Sequence, residues 1–301
     1  MSQQRTEFPL GRITEIKGRP EDFQLLERVP LTLRDINWPV RLSEPVGDEK
    51  KIVLLDVETT GVNLKDDEIT ELGMVSILYS PSATKVTSIK NVISLYDNPG
   101  KPIPENITEL TGITDEMVKG QKIDEKLVVN WLKDTEFIVA HYAHFDRNMF
   151  EKRFPDLGSY RWACSLKGID WKSLGFKNLS LDVLLMRLGY FFQAHRASVD
   201  CLAMAWLFHL LPQAFESLLE SAIKRTVRVS AMGAPYDVKD VLKERKYYWH
   251  NGDTGLKKHW WCEIAEEHLE VEKQFLDELY YQGAKKAQYD FLDATSRFKE
   301  N

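Results

Sequence analysis

The stretch that decides the fold reads Ile52-Val53-Leu54-Leu55-Asp56-Val57-Glu58-Thr59-Thr60-Gly61. Its first four residues are apolar without a polar break, which is typical of a strand buried on both faces of a sheet. Asp56 and Glu58 are two residues apart, so in an extended chain their side chains point to the same face. The Thr-Thr-Gly run then ends the strand. The stretch therefore predicts a central strand that carries two carboxylates side by side.

Two carboxylates on one face of a buried strand repel each other. At a separation of about 4 Å and an effective dielectric constant near 20, the repulsion costs roughly 4 kcal/mol. A proton, a basic partner or a divalent cation must offset that cost, and the stretch itself contains no Lys or Arg. Oxygen ligands on a rigid strand suit Mg2+ or Mn2+. The alternative is that Asp56 caps a turn and that Glu58 is a solvated residue at the strand end.

Length, charge and cysteine content set broader bounds. The 301 residues are enough for one large domain or two smaller ones. The formal net charge of -6 neither indicates nor excludes nucleic-acid binding, because a local basic surface or bound metals can act inside an acidic protein. Cys164, Cys201 and Cys262 show no CxxC spacing, which argues against a disulfide framework and a zinc site. The sequence lacks a signal-peptide core and a bilayer-spanning run, so we expect a cytoplasmic protein that does not engage a membrane.

Patterning divides the chain into three parts. Residues 1–48 are predicted as an N-terminal arm, either a packed strap or an unstructured tail. Residues 49–225 are predicted as the main domain and residues 226–301 as a small C-terminal α+β domain. In the main domain, turn signals and periodicity predict further strands at 67–77, 86–95 and 137–140 and helical stretches at 102–118, 127–132 and 179–188. Short connections predict antiparallel pairing of the first strands, and the strand at 137–140 follows a crossover.

The predicted strand at 137–140 is followed directly by His141-Tyr142-Ala143-His144-Phe145-Asp146. Apolar residues at helical spacing come next, so Asp146 lies at a helix start just beyond the end of a strand. A carboxylate there either caps the helix or lies where open α/β sheets bind ligands.

A third polar stretch reads His195-Arg196-Ala197-Ser198-Val199-Asp200 and leads into an apolar helix. Helix positions advance by about 100°, so five steps place His195 and Asp200 about 140° apart. They can serve one site only if His195 lies on the loop before the helix and Asp200 lies in its first turns. Ser198 is a candidate N-cap, which supports that arrangement. The alternative is a surface histidine and a first-turn carboxylate that interacts with the helix dipole.

Together these stretches supply four carboxylates and one histidine, in the order Asp56, Glu58, Asp146, His195 and Asp200. Metal-assisted phosphodiester cleavage uses this set, because two divalent ions about 3.5–4 Å apart activate a water and stabilise the leaving oxygen. A histidine can take the proton from that water near neutral pH. Over roughly residues 50–225 the chain resembles the DEDD exonucleases, in the histidine (DEDDh) branch of DnaQ-like enzymes. Further matching stretches are 110–115 and 179–182.

The resemblance implies a ribonuclease-H-like mixed sheet flanked by helices and removal of nucleotides from a 3′ end. It implies two Mg2+ or Mn2+ ions per site, the first held by Asp56, Glu58 and Asp200. Asp56 would also reach the second ion, Asp146 would act there through water, and His195 would be the general base. The residues expected to contact substrate are Thr59, Thr60, His141, Tyr142 and Phe145. Tyr142 departs from the family, which usually has Asn at that position, so local sugar or base contacts are expected to differ.

The C-terminal part combines basic and aromatic residues. Lys224 to Lys258 contain nine basic and four acidic residues, a local charge of +5 by count. Residues 247–250 and 259–264 are predicted as two strands around a turn at 251–255, with helices at 236–246 and 266–281. Interleaved aromatic and basic residues suit stacking on single-stranded bases beside a phosphate track. The alternative is that Trp249, Trp260 and Trp261 build the core of a small domain.

The sequence as a whole predicts a metal-dependent 3′→5′ exonuclease that acts on single-stranded DNA, with a polymerase or repair protein as partner. An exoribonuclease of the same branch is the first alternative. The second is a polymerase- or repair-associated binding subunit with weak catalysis.

Overall fold

A computed structural model describes residues 10–32, 36–252 and 257–300. Strands of very different lengths run through these residues: β1 Glu27–Arg28, β2 Val40–Arg41, β3 Lys50–Thr59, β4 Ile69–Ser80, β5 Lys85–Tyr96, β6 Thr135–Ala140, β7 Trp162–Cys164, β8 Tyr190–Phe191, β9 Thr226–Ala231, β10 Tyr248–His250, β11 His259–Ala265 and β12 Gln288–Leu292. The helices are α1 Ile13–Gly18, α2 Glu105–Thr111, α3 Asp115–Val118, α4 Glu125–Leu132, α5 Ala143–Arg153, α6 Leu181–Arg187, α7 Ala197–Leu210, α8 Pro212–Ile223, α9 Lys239–Glu244, α10 Leu269–Leu279 and α11 Gly283–Lys286.

The main sheet has the order β2-β5-β4-β3-β6-β7. β3 pairs antiparallel with β4 and parallel with β6, so the sheet is mixed and β3 lies inside it. Helices α5 and α7 contact the sheet, and β4 and β5 pair antiparallel as their short connection predicts. The expected mixed sheet of a ribonuclease-H-like fold is confirmed.

Burial of the first apolar run is complete. Ile52, Val53, Leu54 and Leu55 are each 0% exposed. Ile52 and Leu54 belong to the hydrophobic core that includes α7, whereas Val53 and Leu55 belong to the core that includes α5. The strand is therefore buried on both faces because helices cover both sides of the sheet, as the unbroken apolar run predicts.

Two helix starts follow from their capping residues. The side chain of Thr114 accepts a hydrogen bond from the backbone N–H of Met117 at the start of α3. Asp124 accepts from the N–H of Lys126 at the start of α4 in the same way. These bonds satisfy donors that a helix leaves unpaired in its first turn. They fix the starts of α3 and α4, the second and third helices of the crossover from β5 to β6.

The described part of the N-terminal arm packs as a strap. β1 pairs in parallel with β8, and β2 pairs antiparallel with β5 at the sheet edge. Val29 and Leu31 between these strands are buried in the main core. Residues 1–9 and 33–35 lie outside the described residues, and α1 has no buried residue, so packing against the core is shown for residues 29–32 and 38–42.

The C-terminal part forms a second, antiparallel sheet in the order β10-β11-β9-β12. The small α+β unit is therefore confirmed, although its predicted boundary at residue 226 stays a prediction. The helix predicted at 236–246 opens with a 3-10 turn and continues as α9, which ends at Glu244. The helix predicted at 266–281 also opens with a 3-10 turn and continues as α10, which ends at Leu279. β12 is not predicted from the sequence, and residues 253–255 of the predicted turn lie outside the described residues.

The end of the chain returns to the main sheet. The backbone N–H of Trp162 on β7 donates to the carbonyl of Ala294 at 2.7 Å. Arg147, fully buried on α5, donates from Nη1 to the carbonyl of Arg297 at 2.6 Å. Phe298 packs against the core that includes α5. The predicted C-terminal domain thus contains a final segment that contacts the predicted main domain.

Helix length and polarity also bear on membranes. Taken singly, none of the described helices combines the length and the apolar character that a bilayer crossing needs. Only α7 and α8 together meet that test by length and composition, and their axes are bent by 106° at the break.

Candidate metal centre and its surroundings

Strand register places functional side chains in two rows on one face of the main sheet. Glu58 on β3 lies opposite Glu71 on β4, and Glu71 lies opposite Tyr96 on β5. Two residues along, Asp56 lies opposite Gly73. Directly opposed residues and residues two apart share a face, so this face carries three carboxylates within two rows.

Gly73 allows α7 to approach that face closely. A Cβ atom at Gly73 would lie 2.2 Å from the carbonyl carbon of Ala197, the first residue of α7. The Sγ atom of Cys201 lies 3.6 Å from the carbonyl oxygen of Gly73 in a weak hydrogen bond. The missing side chain therefore lets the first turn of α7 rest on β4, which brings Asp200 toward Asp56.

Three predicted ligands meet as a result. Three carboxylate oxygens, one from each of Asp56, Glu58 and Asp200, lie within 4.8 Å of one another. Asp146 lies on α5 outside this group of three, and its Oδ1 accepts a hydrogen bond from the backbone N–H of Val57 at 3.2 Å. Asp146 is therefore bonded to the strand between Asp56 and Glu58, in addition to backbone hydrogen bonds at the start of its own helix.

His195 lies just before α7 and is exposed, with a backbone φ of +66°. Asp200 lies in the first turn of α7. This is the arrangement that the sequence requires if His195 and Asp200 are to serve one site. The prediction that Ser198 is the N-cap is wrong, because the helix begins at Ala197 and the N-cap residue is Arg196. Asp200 Oδ2 instead accepts the backbone N–H of Arg196 at 3.0 Å.

The carboxylates favour their protonated forms in the absence of a cation. Burial, followed by repulsion from neighbouring carboxylates, raises the pKa of Glu58 to about 8 and the pKa of Asp56 well above its ordinary value. Burial raises the pKa of Asp146 and of Asp200 to about 7, against backbone hydrogen bonds that lower both. Crowding of like charges in a poorly solvated site produces these shifts.

The same features fit a divalent metal. Within the described residues, no Lys or Arg side chain forms an ion pair with Asp56, Glu58 or Asp200. An all-oxygen donor set with excess negative charge suits Mg2+ or Mn2+ rather than a soft metal. The site therefore has the ligands, the spacing and the uncompensated charge that a divalent cation requires.

These shifts predict how stability depends on pH. A carboxyl group with a raised folded-state pKa binds more protons in the folded than in the unfolded protein, so its contribution is lost as pH rises through the folded value. In EDTA, we expect the melting temperature to fall between pH 5 and pH 8, the window of the values near 7 and 8 for Asp146, Asp200 and Glu58. Saturating Mn2+ should remove most of this fall, because cation binding requires the deprotonated carboxylates. Scanning calorimetry across this range with and without Mn2+ provides the measurement, and a metal-independent profile would contradict the expectation.

An apolar pocket of about 460 Å³ lies between the loop after β3 and the start of α5. Its lining residues are Val62, Leu64, Tyr142, His144 and Phe145. The pocket includes two residues that the sequence predicts as substrate contacts, Tyr142 and Phe145. An exposed apolar surface beside a carboxylate cluster suits a planar base.

The other residues predicted to contact substrate form hydrogen bonds within the protein. Thr59 donates to the carbonyl of Gly61, and Thr60 donates to Asp67 at 2.7 Å. Both ring nitrogens of His141 are engaged, with Ser165 Oγ at 2.8 Å and the carbonyl oxygen of Leu179 at 2.7 Å. The structure thus gives these three side chains intramolecular partners, and their contact with substrate stays a prediction.

Sequence reasoning missed Glu71 and Arg196. Glu71 is 0% exposed, and its carboxylate lies 3.0 Å from Arg196 Nε. A glutamate inside the apolar strand predicted at 67–77 was a usable signal, because an acidic residue in such a run needs a buried partner. Identifying that partner required the strand register and the path of α7.

Comparison with known proteins places the chain among exonucleases. The family model RNase_T, described as exonuclease, matches residues 53–208, which is more than half of the chain. The chain is 29% identical over 199 residues to a PolC-type DNA polymerase III of Clostridium perfringens, covering 62% of this chain and 13% of that protein. It is 32% identical over 173 residues to the PolC-type DNA polymerase III of Bacillus subtilis, covering 53% of this chain and 11% of that protein. The chain therefore spans only a small part of the length of these relatives.

Among solved structures, Exonuclease X in complex with 5′ overhanging duplex DNA is 22% identical, with a TM-score of 0.44 over 56% of this chain and 98% of that one. The nuclease domain of 3′hExo, a DEDDh family member bound to rAMP, is 18% identical, with a TM-score of 0.46 over 56% of this chain and 94% of that one. The family assignment rests on the sequence match, which spans all three polar stretches. The chain belongs to the DnaQ-like DEDD exonuclease family.

Proposed function

We propose that the protein removes nucleotides from the 3′ end of single-stranded DNA by metal-dependent hydrolysis. The observation that carries this proposal is the convergence of Asp56, Glu58 and Asp200 within 4.8 Å, without a cationic side chain paired to them among the described residues. The family membership supports hydrolysis of nucleic acid, whereas polarity and substrate are our inference. Relatives named as DNA polymerases favour DNA over RNA and a polymerase as partner.

The carboxylates have distinct roles in this proposal. Asp56, Glu58 and Asp200 would hold the first divalent ion, and Asp56, with Asp146 acting through water, would hold the second. Mg2+ or Mn2+, two per site, supplies activation of the attacking water and stabilisation of charge on the leaving oxygen. The hydrogen bond from Val57 N–H to Asp146 keeps that carboxylate fixed relative to β3. A fixed ligand set positions the scissile phosphate without reorganisation during the reaction.

His195 and the apolar pocket complete the site. His195 lies on an exposed turn beside Asp200 and takes the proton from the attacking water. The terminal base enters the pocket between the loop after β3 and α5, where Tyr142 and Phe145 supply apolar rings. An unpaired base can enter such a pocket without strand separation, which favours a single-stranded end.

A time course on oligonucleotides tests the proposal. Single-stranded DNA, duplex DNA and RNA of one sequence, each labelled at the 5′ end, are incubated with Mg2+ or Mn2+. A ladder that shortens from the 3′ end, fastest on single-stranded DNA, is the expected result, and a blocked 3′ end should prevent it. Faster loss of RNA would favour the exoribonuclease alternative. Tight binding with negligible turnover would favour an accessory binding subunit instead.

Replacement of the histidine tests its role as general base. His195→Ala should lower turnover by about a hundredfold or more, because proton transfer by a positioned group contributes at least that factor. The Mn2+-dependent rise in melting temperature should persist, since His195 is not among the three clustered ligands. Rates and melting curves at neutral pH measure both effects. Near-normal turnover in this variant would remove His195 from the mechanism.

The C-terminal unit is proposed to bind the single strand or a partner protein. Tyr248 and Trp249 on β10 are 61% and 51% exposed, and the ring of Trp261 lies 5.5 Å from that of Tyr248.

The division of the chain into an arm, a main domain and a C-terminal unit, with boundaries after residues 48 and 225, is part of the same proposal. A cytoplasmic location likewise remains our prediction.

A further inference from the structure

An ion pair between the buried carboxylate of Glu71 and the partly exposed guanidinium of Arg196 lies directly behind the stretch that contains His195. The carboxylate of Glu71 accepts hydrogen bonds from Arg196 Nε at 3.0 Å and from Ser94 Oγ at 2.6 Å. It also accepts the backbone N–H of Ala197 at 3.4 Å. The guanidinium of Arg196 donates in addition to the hydroxyl of Tyr96. All neighbours of Glu71 in this set are donors, so the position requires a group that only accepts.

The pair holds an unusual backbone. His195 has a φ of +66°, a left-handed conformation that is uncommon for residues other than glycine and persists only where neighbouring contacts enforce it. The next two residues, Arg196 and Ala197, are the ones that Glu71 binds. Glu71 is 0% exposed on a central strand, so it is a rigid anchor for that turn.

We propose that Glu71 is a positioning residue for the hydrolytic reaction: through Arg196 and Ala197 it fixes the left-handed turn at His195 and thereby directs the imidazole. The inference rests on the proposed function, since it requires His195 to act as the base. An ion pair that served stability alone would leave turnover unchanged once the protein is folded.

The metal cluster has separate support. Asp200 stands on α7, whose first turn contacts Gly73 on β4 and whose Cys201 Sγ bonds to the Gly73 carbonyl. The Glu71 side chain takes no part in these two contacts, although it bonds to Ala197, which makes the first of them, and to Arg196, whose backbone N–H donates to Asp200. Loss of the Glu71 carboxylate should therefore disturb the histidine turn and leave the approach of α7 to the sheet in place.

The first test compares Glu71→Gln with a matched variant, Glu136→Gln. Glu136 lies at the opposite end of the same sheet and, like Glu71, pairs with one cation and one hydroxyl group, here Lys50 Nζ at 3.0 Å and the Tyr79 hydroxyl at 2.6 Å. Glu71→Gln should lower kcat roughly 10- to 100-fold with KM within about twofold, because a small misplacement of a catalytic group costs about that much. Glu136→Gln should leave both constants unchanged. The Mn2+-dependent melting shift should persist in both variants.

A double-mutant cycle separates positioning from general destabilisation. In the His195→Ala background, Glu71→Gln should change kcat by less than about twofold, because the group it positions is already absent. An equal loss of kcat in both backgrounds would overturn the proposal, as would loss of the Mn2+ shift. If Glu71→Gln does not fold, the variant Glu71→Gln/Arg196→Gln removes both charges together and replaces it in the cycle.

The outcome is distinguishable from failure of the proposed function. If the wild-type protein shows no exonuclease activity, the proposed function fails, and the positioning role of Glu71 fails with it. If the wild type is active and His195→Ala is impaired while Glu71→Gln retains full kcat, only the positioning role of Glu71 is refuted.

Discussion

Asp56→Ala is expected to lower turnover by about a thousandfold or more, the largest effect of any single substitution in this chain. Asp56 is one of three carboxylates within 4.8 Å and is proposed to contact both ions. Metal-based stabilisation of the reacting phosphate is worth several kcal/mol, and each 1.36 kcal/mol is about tenfold in rate. Rates under saturating Mn2+ on a 5′-labelled oligonucleotide measure the effect.

The same substitution should abolish stabilisation by metal. At a hundred times its dissociation constant, a ligand that binds only the folded state adds about 2.7 kcal/mol. For a chain of this size that corresponds to a rise of roughly 5–10 °C in the wild-type melting temperature. Asp56→Ala should show little or no rise, and its metal-free form should melt higher than metal-free wild type, because burial and then repulsion from neighbouring carboxylates make ionisation of Asp56 unfavourable in the folded protein.

A control outside the cluster distinguishes metal binding from general damage. Asp97 is 6% exposed and pairs with Arg153 beyond the end of β5. Asp97→Ala should therefore lower the melting temperature, because it leaves a partly buried guanidinium without its partner. It should nevertheless keep both the Mn2+ shift and most of the turnover. Equal Mn2+ shifts in wild type and Asp56→Ala would refute the metal assignment.

The first motif could be predicted almost completely because its signals are local. An unbroken apolar run and a spacing of two residues define β3 and the shared face of Asp56 and Glu58. The second and third motifs needed only the helix period and the order of strands. Asp146 bonds in addition to the N–H of Val57, which is 89 residues away in the sequence. A single sequence does not specify such a bond.

The features that the sequence did not reveal depend on strand register and on close packing. Glu71 becomes a partner of Arg196 only because β4 pairs with β3 in one register and α7 rests on Gly73. The return of the chain end to β7 is equally non-local, since Trp162 and Ala294 are 132 residues apart. The edge strand β12 is different, because the order Gln-Tyr-Asp-Phe over its first four residues is an alternation that could have been used and was missed.

Part of the basic charge of the C-terminal unit is already engaged within the protein. At least three of the nine basic residues counted between 224 and 258 are in ion pairs, namely Arg225 with Glu266, Lys243 with Asp240 and Arg245 with Glu272. Deletion of residues 226–301 is a poor test, because it would also remove the final segment that binds Arg147 and Trp162. Substitution of individual aromatic residues leaves that segment in place.

Trp260 and Trp261 are neighbours on β11 that face opposite sides of the small sheet. Trp260 is 9% exposed and belongs to the core of this unit. Trp261 is partly exposed, with the Arg228 guanidinium 5.2 Å from its ring centre and Tyr248 beside it. Because the two rings face opposite sides, at most one of them can stack on a base, and under the proposed function that ring is Trp261.

The two substitutions should therefore have opposite consequences. Trp260→Ala should lose about 3–5 kcal/mol of stability, because it empties a core position. Trp261→Ala should stay folded and weaken binding of long single-stranded DNA roughly 5- to 150-fold, since a stacked base is worth about 1–3 kcal/mol. Melting curves, and titrations in EDTA at several salt concentrations, measure both, and affinity should fall with salt if phosphates are contacted. If Trp261→Ala binds DNA as tightly as the wild type while remaining folded, this face of the sheet contacts a protein partner or serves structure alone, and the nucleic-acid track must lie elsewhere.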